Sequence, residues 1–254
     1  MIPSEWRALP WCRGVRVASS GVDWVVVEKP EGVLSHPNEE GDRSRSVLCL
    51  PYQPDKEEFT VTSELSLRLC HRLDGPTSGL LTLATGEKAN WFRRAWEEGR
   101  VKKDYWAIVV GRPRDREFSW TDRLVKKRVS GKIRVEVGAS GIAAETRGRE
   151  ITFSRNALPL TLLQLQPRTG RTHQLRVQAA AHRLPILGDR QYGDFRANRL
   201  FRQKSRGSRL FLHASRLQWK EGGRVMKVGS AIPQEFVDCF PGTARIRDLQ
   251  SVKA

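Results

Sequence analysis

The chain has 254 residues, 39% hydrophobic and 29% charged. That is enough to bury a core as one large or two small domains, and no run approaches the roughly 18 apolar residues that span a bilayer. Lys and Arg total 45 against 28 Asp and Glu, a formal net charge of +17. Such a field attracts polyanions, and nucleic acid is the partner a basic footprint of this kind favours over a membrane face or an acidic protein.

The chain opens with a segment, residues 1–13, that has two readings. Arg7 and Arg13 with one acid, Glu5, suit an organelle-targeting peptide; Trp6 and Trp11 suit a short arm packed on the domain. Residues 22–27, β-branched and aromatic, predict a buried strand closed by Pro30 and Gly32. Residues 37–64 are polar and carry Pro37, Pro51 and Pro54, so irregular chain is expected apart from the apolar patch 47–50. A polar knot at 71–78 precedes a strand-length apolar run at 80–84. Residues 87–98 predict a helix with Trp91, Phe92, Ala95 and Trp96 on its buried face, Thr85 as N-cap and Gly99 past its end.

Strands are expected at 105–110, 133–137 and 144–153, the last two suited to antiparallel pairing, and at 160–165, ending at Pro167. Residues 172–182 predict a second helix, capped by Thr172, with Leu175, Val177 and Ala179 inward. Short strands at 210–213, 217–219 and 225–228 complete the set. Strands outnumber helices and lie mostly next to one another, which predicts an α+β class with a mostly antiparallel central sheet and flanking helices. Residues 14–240 form the expected main domain and 241–254 a tail. Basic residues cluster at 123–134, with Lys126, Lys127, Arg128 and Lys132, and at 199–209, with Arg202, Lys204 and Arg206. Each cluster is either a solvated surface or a grip for phosphates.

The four cysteines, Cys12, Cys49, Cys70 and Cys239, form no C-x-x-C pair. The five histidines form no close helical pair either, so a metal site is not expected and free thiols are.

Two segments concentrate chemistry. In His71-Arg72-Leu73-Asp74-Gly75-Pro76-Thr77-Ser78-Gly79 a carboxylate stands beside an arginine in a turn ahead of a strand. Such a turn presents a side chain to a cleft, or it is simply an Asp-capped turn with Arg72 as its ion-pair partner. In Arg168-Thr169-Gly170-Arg171-Thr172-His173-Gln174-Leu175-Arg176 an arginine falls one turn into the predicted helix. It is either one cation of a solvated basic face or a buried guanidinium able to keep a carboxylate ionised.

Taken together and in order, the motifs resemble the RluA-type pseudouridine synthases. H-R-L-D-G-P-T-S-G-L-L is similar to that family's signature. It is accompanied by V-V-V-E-K-P-E-G-V-L-S-H-P (25–37), V-K-K-D-Y-W-A-I-V-V-G (101–111), T-G-R-T-H-Q-L-R-V-Q (169–178), L-P-I-L-G-D-R-Q-Y-G (184–193) and R-L-F-L-H-A (209–214). The resemblance runs from about residue 14 to about 235. It implies the pseudouridine synthase fold with a catalytic cleft, and isomerisation of uridine to pseudouridine in structured RNA, rRNA or tRNA. By it Asp74 matches the essential aspartate, Tyr105 the active-site tyrosine and Arg176 the arginine that pairs with the aspartate. Arg72 matches an arginine that enters the RNA stack in place of the extruded base, and His71, Thr77, Arg171, His173 and Gln174 stand in the same motifs as RNA-contacting residues. Glu28 and Gln178 depart from the family's usual Asn and His. Because the resemblance begins near residue 14, the S4 RNA-binding domain that some relatives carry is not expected in this sequence.

The implied chemistry needs an ionised carboxylate that attacks the ribose anomeric carbon or removes the adjacent ribose proton. The detached base turns, rejoins through carbon five and loses a proton there, with Tyr105 stacking on it and relaying that proton. No redox step or group donor enters, so no cofactor is expected. A ribosome-assembly factor on the same fold, bound to a ribosomal particle, is the alternative function. A glycoside hydrolase is disfavoured because such enzymes need two carboxylates. The compartment is cytoplasmic for a bacterial chain, or mitochondrial or another organelle otherwise.

Overall fold

A computed structural model of the chain describes residues 4–129, 131–204 and 208–243, together with Ile246 and Leu249. In chain order the elements are α1 (Ser4–Ala8), β1 (Arg16–Ser20), β2 (Trp24–Lys29), a 3-10 turn (Glu40–Arg45), β3 (Tyr52–Gln53), β4 (Glu58–Thr60), β5 (Ser66–Leu69), β6 (Ser78–Ala84) and α2 (Gly86–Glu97). Then come β7 (Lys102–Val110), β8 (Glu117–Val129), β9 (Lys132–Val137), β10 (Ile142–Ser154), β11 (Leu160–Pro167), α3 (Gln174–Ala181) and α4 (Phe195–Lys204). The last are β12 (Leu212–Glu221), β13 (Arg224–Gly229) and α5 (Gln234–Asp238). The class is α+β with mostly antiparallel strands, as expected. Among the described residues no helix is long and apolar enough to cross a membrane.

The chain divides into two compact units, one of residues 1–102 with 214–231 and the other of residues 103–213 with 232–251. In the first, strands follow the order β3-β4-β5-β6-β12, with β2 paired to β6 and β1, and β13 paired to β12. Residues 24–27 of β2 and all of β6 are buried. Strands covered on both faces need no polar alternation, which is why both read as continuous apolar runs. Helix α2 lays Ala89, Phe92 and Ala95 onto Trp24, Val26, Leu80, Leu217 and Trp219. Thr85 does stand at the α2 N-cap, but its hydroxyl makes no cap; it lies 3.5 Å from the Asp23 carbonyl instead. Trp6 is buried and donates to the Gly21 carbonyl at 2.9 Å, while Trp11 donates to Trp6 at 2.7 Å. Through these two bonds Trp6 and Trp11 tie the described part of the amino-terminal segment to this unit.

In the second unit the order is β7-β11-β10-β8-β9, all antiparallel. The expected pairing of 133–137 with 144–153 is corrected here: β9 and β10 both pair with β8, which the sequence did not reveal as a strand. Only Trp120 and Leu124 of β8 are buried, so its basic composition reads as a loop. One core gathers Leu124, Val135 and Ala144 under Val177 of α3; another gathers Ile108, Leu162, Phe211 and Phe236. The expected strands 210–213 and 217–219 are one strand, β12, and α4 was not expected. Of the basic clusters, Arg206 and the side chains of Lys132 and Lys204 lie outside the described residues. The four cysteines are free thiols.

Candidate active site

The turn bearing Asp74 belongs to the first unit. The Thr77 N–H donates to the Asp74 carbonyl at 2.9 Å, closing a turn immediately before β6. Leu73 and Thr77 are buried on either side, and Asp74 itself is half-buried. Ser35 clamps the turn from outside: its hydroxyl donates to the Leu73 carbonyl at 2.8 Å and accepts the Leu73 N–H at 3.0 Å. The buried Lys29 ammonium caps the far side, donating to the carbonyls of Gly75 at 3.0 Å and Val33 at 2.6 Å. Neither Ser35 nor Lys29 was singled out from the sequence, although both lie in the 25–37 block. Gly79 closes the segment at φ 113°, where a Cβ would fall 2.2 Å from the Ala214 carbonyl oxygen. Only glycine permits that approach.

His71 is half-buried; its Nε2 accepts the Thr82 N–H at 3.1 Å and its ring lies 4.5 Å from Trp96. That is a position in the packing rather than on the surface. Arg72 is exposed. Its guanidinium reaches Glu57 at 3.5 Å and His36 at 3.5 Å, so the sequence alternative of an Arg72–Asp74 pair is not the ion pair seen.

Tyr105 and Arg176 belong to the second unit. Tyr105 is buried on β7, opposite Leu165 of β11. Two residues before it, half-buried Lys103 carries an ammonium that burial pulls down to about 8. Its Nζ lies 3.4 Å from where a Cβ on Gly170 would sit, which brings a third cation to the 169–178 motif beside Arg171 and Arg176.

Helix α3 starts one residue later than expected. His173, not Thr172, occupies the N-cap, in the left-handed region at φ 53° and without a side-chain cap. Gln174 organises this start. Its Oε1 accepts from the Thr169 hydroxyl at 2.7 Å and the Arg171 N–H at 3.0 Å; its Nε2 donates to the Glu145 carbonyl and the Thr146 hydroxyl, both at 3.0 Å. Those four bonds use the whole capacity of a primary amide. Gln178 is equally enclosed, accepting from Thr146 at 2.7 Å and donating to Asp122 at 2.7 Å. Arg171 is exposed, with Nε 3.2 Å from the Ala143 carbonyl.

The solvated basic face is corrected outright, because Arg176 is only 6% exposed. Its guanidinium makes a two-pronged ion pair with buried Asp189, Nε to Oδ2 at 2.7 Å and Nη2 to Oδ1 at 2.9 Å. The Tyr192 ring lies 5.1 Å from the same guanidinium, and the Tyr192 hydroxyl meets His173 Nδ1 at 2.8 Å and accepts the Val135 N–H at 2.9 Å. Asp189 also accepts the N–H groups of Gln191 and Tyr192 at 2.8 and 3.0 Å. Burial pushes its carboxyl up, but Arg176 and those two donors outweigh it, and the net shift is downward. Asp189 was missed as a site residue; the signal was its place in the 184–193 block.

With this geometry in view, the chain belongs to the RNA pseudouridylate synthase family, whose model matches residues 23–181. These are enzymes that convert uridine to pseudouridine in RNA. The chain is 31% identical over 220 residues to tRNA pseudouridine synthase C of Vibrio parahaemolyticus, covering 77% of this chain and 80% of the relative. It is 37% identical over 183 residues to ribosomal large subunit pseudouridine synthase C of Escherichia coli, covering 68% and 55%. Among solved structures, Human RNA Pseudouridylate Synthase Domain Containing 4 superposes with a TM-score of 0.65 at 26% identity, covering 91% of this chain and 92% of that one.

Proposed function

We propose that Asp74 is the catalytic carboxylate of this RNA pseudouridine synthase and that the substrate is a structured tRNA or rRNA. The reading rests on the turn at Asp74: a motif matching the family's signature, in a turn closed by its own backbone bond from Thr77 and fixed from other segments by Ser35 and Lys29, with Gly79 in close approach. Such a scaffold holds a loop residue in one place for chemistry. In the reaction the bond between C1′ and N1 of uridine breaks, with Asp74 either bonding to C1′ or taking the C2′ proton. The released uracil turns, and a bond forms between C5 and C1′ as the Asp74–C1′ bond breaks or as the proton taken from C2′ returns there; the C5 proton leaves and N1 finishes protonated, so atoms and electrons balance with no external reactant.

Tyr105 is assigned to the base, stacking on uracil and relaying the C5 proton, and Arg176 is the cation matched to the carboxylate. Exposed Arg72 is assigned to the RNA stack, where filling the gap offsets part of the few kcal/mol that extruding a base costs. Thr77, Arg171 and His173 are assigned to the margins of the RNA site, and His71 and Gln174 to holding its two motifs in shape. The names of the relatives span tRNA and large-subunit rRNA, which supports the substrate class and leaves both RNAs to be assayed. The test is a pseudouridine map of tRNA and rRNA after incubation with the parent and with Asp74→Ala or Asp74→Asn. The expected result is that sites gained with the parent are missing with both variants; sites retained with both would overturn the assignment of Asp74.

A further inference from the structure

We infer that the outward face of α4 is a docking surface for the phosphate backbone of the substrate RNA; the inference rests on the RNA-isomerase reading above. At 3.6 residues per turn, α4 divides into two arcs. Ala197 and Asn198 are buried and Phe201 half-buried on one, while Phe195, Arg196, Arg199, Leu200, Arg202 and Gln203 are exposed on the other. Arg196, Arg199 and Arg202 are three residues apart, so they rise by about 4.5 Å each along a single side.

The helix sequence F-R-A-N-R-L-F-R-Q-K contains no acid. Asp194, just before it, is used as a cap, accepting the Ala197 N–H at 2.9 Å. Among the described residues these three arginines form no ion pair. Like charges one turn apart weaken a helix, and a polyanion laid along the face removes that repulsion. Exposed Phe195, 64% accessible, adds an aromatic surface at the end of the row, of the kind on which unpaired bases stack.

The helix is also firmly seated. Asn198 on its inner arc accepts the Gly188 N–H at 2.8 Å and donates to the Asp189 carbonyl at 2.9 Å, and Phe201 packs edge-on against Phe211 at 5.3 Å. The turn it grips is the one that holds Arg176.

The test measures binding of the full chain to an unmodified tRNA transcript and to a generic RNA duplex across a series of salt concentrations. Each lost phosphate contact lowers the slope of log affinity against log salt by about one and weakens binding regardless of sequence. R196Q/R199Q/R202Q should therefore lose two to three units of slope and roughly ten- to a hundredfold in affinity near 0.1 M salt. R196K/R199K/R202K should keep most of the slope. R93Q/R94Q/R224Q, which removes three exposed arginines from α2 and β13, should keep it as well. An unchanged slope in the Gln triple of α4 overturns the proposal and leaves the face to a protein partner. An equal loss in the α2 and β13 triple also overturns it, since net charge alone would then be responsible. If the Asp74 variants still form pseudouridine while the α4 triple loses its slope, the catalytic assignment fails and the docking surface stands.

Discussion

Replacing Asp189 by Asn removes a buried carboxylate paired with a guanidinium that has little access to water. Asp189 is 1% and Arg176 6% exposed, and the pair is held by two hydrogen bonds at 2.7 and 2.9 Å. Breaking such a buried pair by removing one member costs about 3–5 kcal/mol. For a chain of this size each kcal/mol is worth roughly 2–4 °C in Tm, so D189N should melt on the order of 10 °C below the parent at neutral pH. The pH dependence has a definite sign. The folded-state pKa of Asp189 is depressed, so its stabilisation is complete above the unfolded carboxylate value near 3.9. It is lost as pH falls through the lower folded value. D189N should lack that acid-side component.

Thermal melts across pH supply the measurement, and a second variant separates stability from activity. Exchanging both partners for apolar residues, R176M/D189L, should recover much of the melting temperature, because a buried pair is often matched by well-packed hydrophobic side chains. Pseudouridine formation should not return, since the guanidinium is gone. A D189N melt within about 2 °C of the parent would refute the reasoning, because by the same conversion it corresponds to less than about 1 kcal/mol.

Gly79→Ala places a methyl group 2.2 Å from the Ala214 carbonyl oxygen at a φ of 113°. Overpacking and backbone strain each cost about 1–3 kcal/mol, so urea unfolding should show a loss of several kcal/mol; a parental midpoint would mean that the close approach is not there. His213 is buried, and burial, with Arg209 adding to it, pulls its imidazole down to about 3. The unfolded chain takes up a proton near pH 6.5 that the folded chain refuses until about pH 3, so stability falls with pH through that window, by up to about 1.4 kcal/mol per pH unit. His213→Gln should flatten the stability-against-pH curve between those limits by one proton, and identical slopes in the two proteins would argue against a buried neutral imidazole.

Local pattern carried much of the fold. The runs at 24–27 and 80–84 are strands because a short, uninterrupted β-branched and aliphatic stretch has to be covered on both sides, and α2 shows its buried face in the spacing of Phe92 and Ala95. Other elements had no local signature. β8 places only two side chains in the core and owes its conformation to the ladders it forms with β9 and β10. α4 was obscured because its arginines resemble a solvated loop, and only contact with the Gly188 turn and Phe211 gives its inner arc a purpose.

What the sequence determined by itself was the chemistry available: an aspartate in a family signature, an arginine one turn into a helix, and a surplus of cations suited to RNA. Those are properties of residue type and spacing. Tertiary structure decided how each residue is held. It decided between the two readings of Arg176 in favour of a buried guanidinium gripped by Asp189, and it committed Gln174 and Gln178 to internal bonds. It also brought Ser35 and Lys29 to the Asp74 turn. The physical reason is that burial and hydrogen-bond partners come from segments distant in the chain, and no local stretch of sequence encodes which of them will meet.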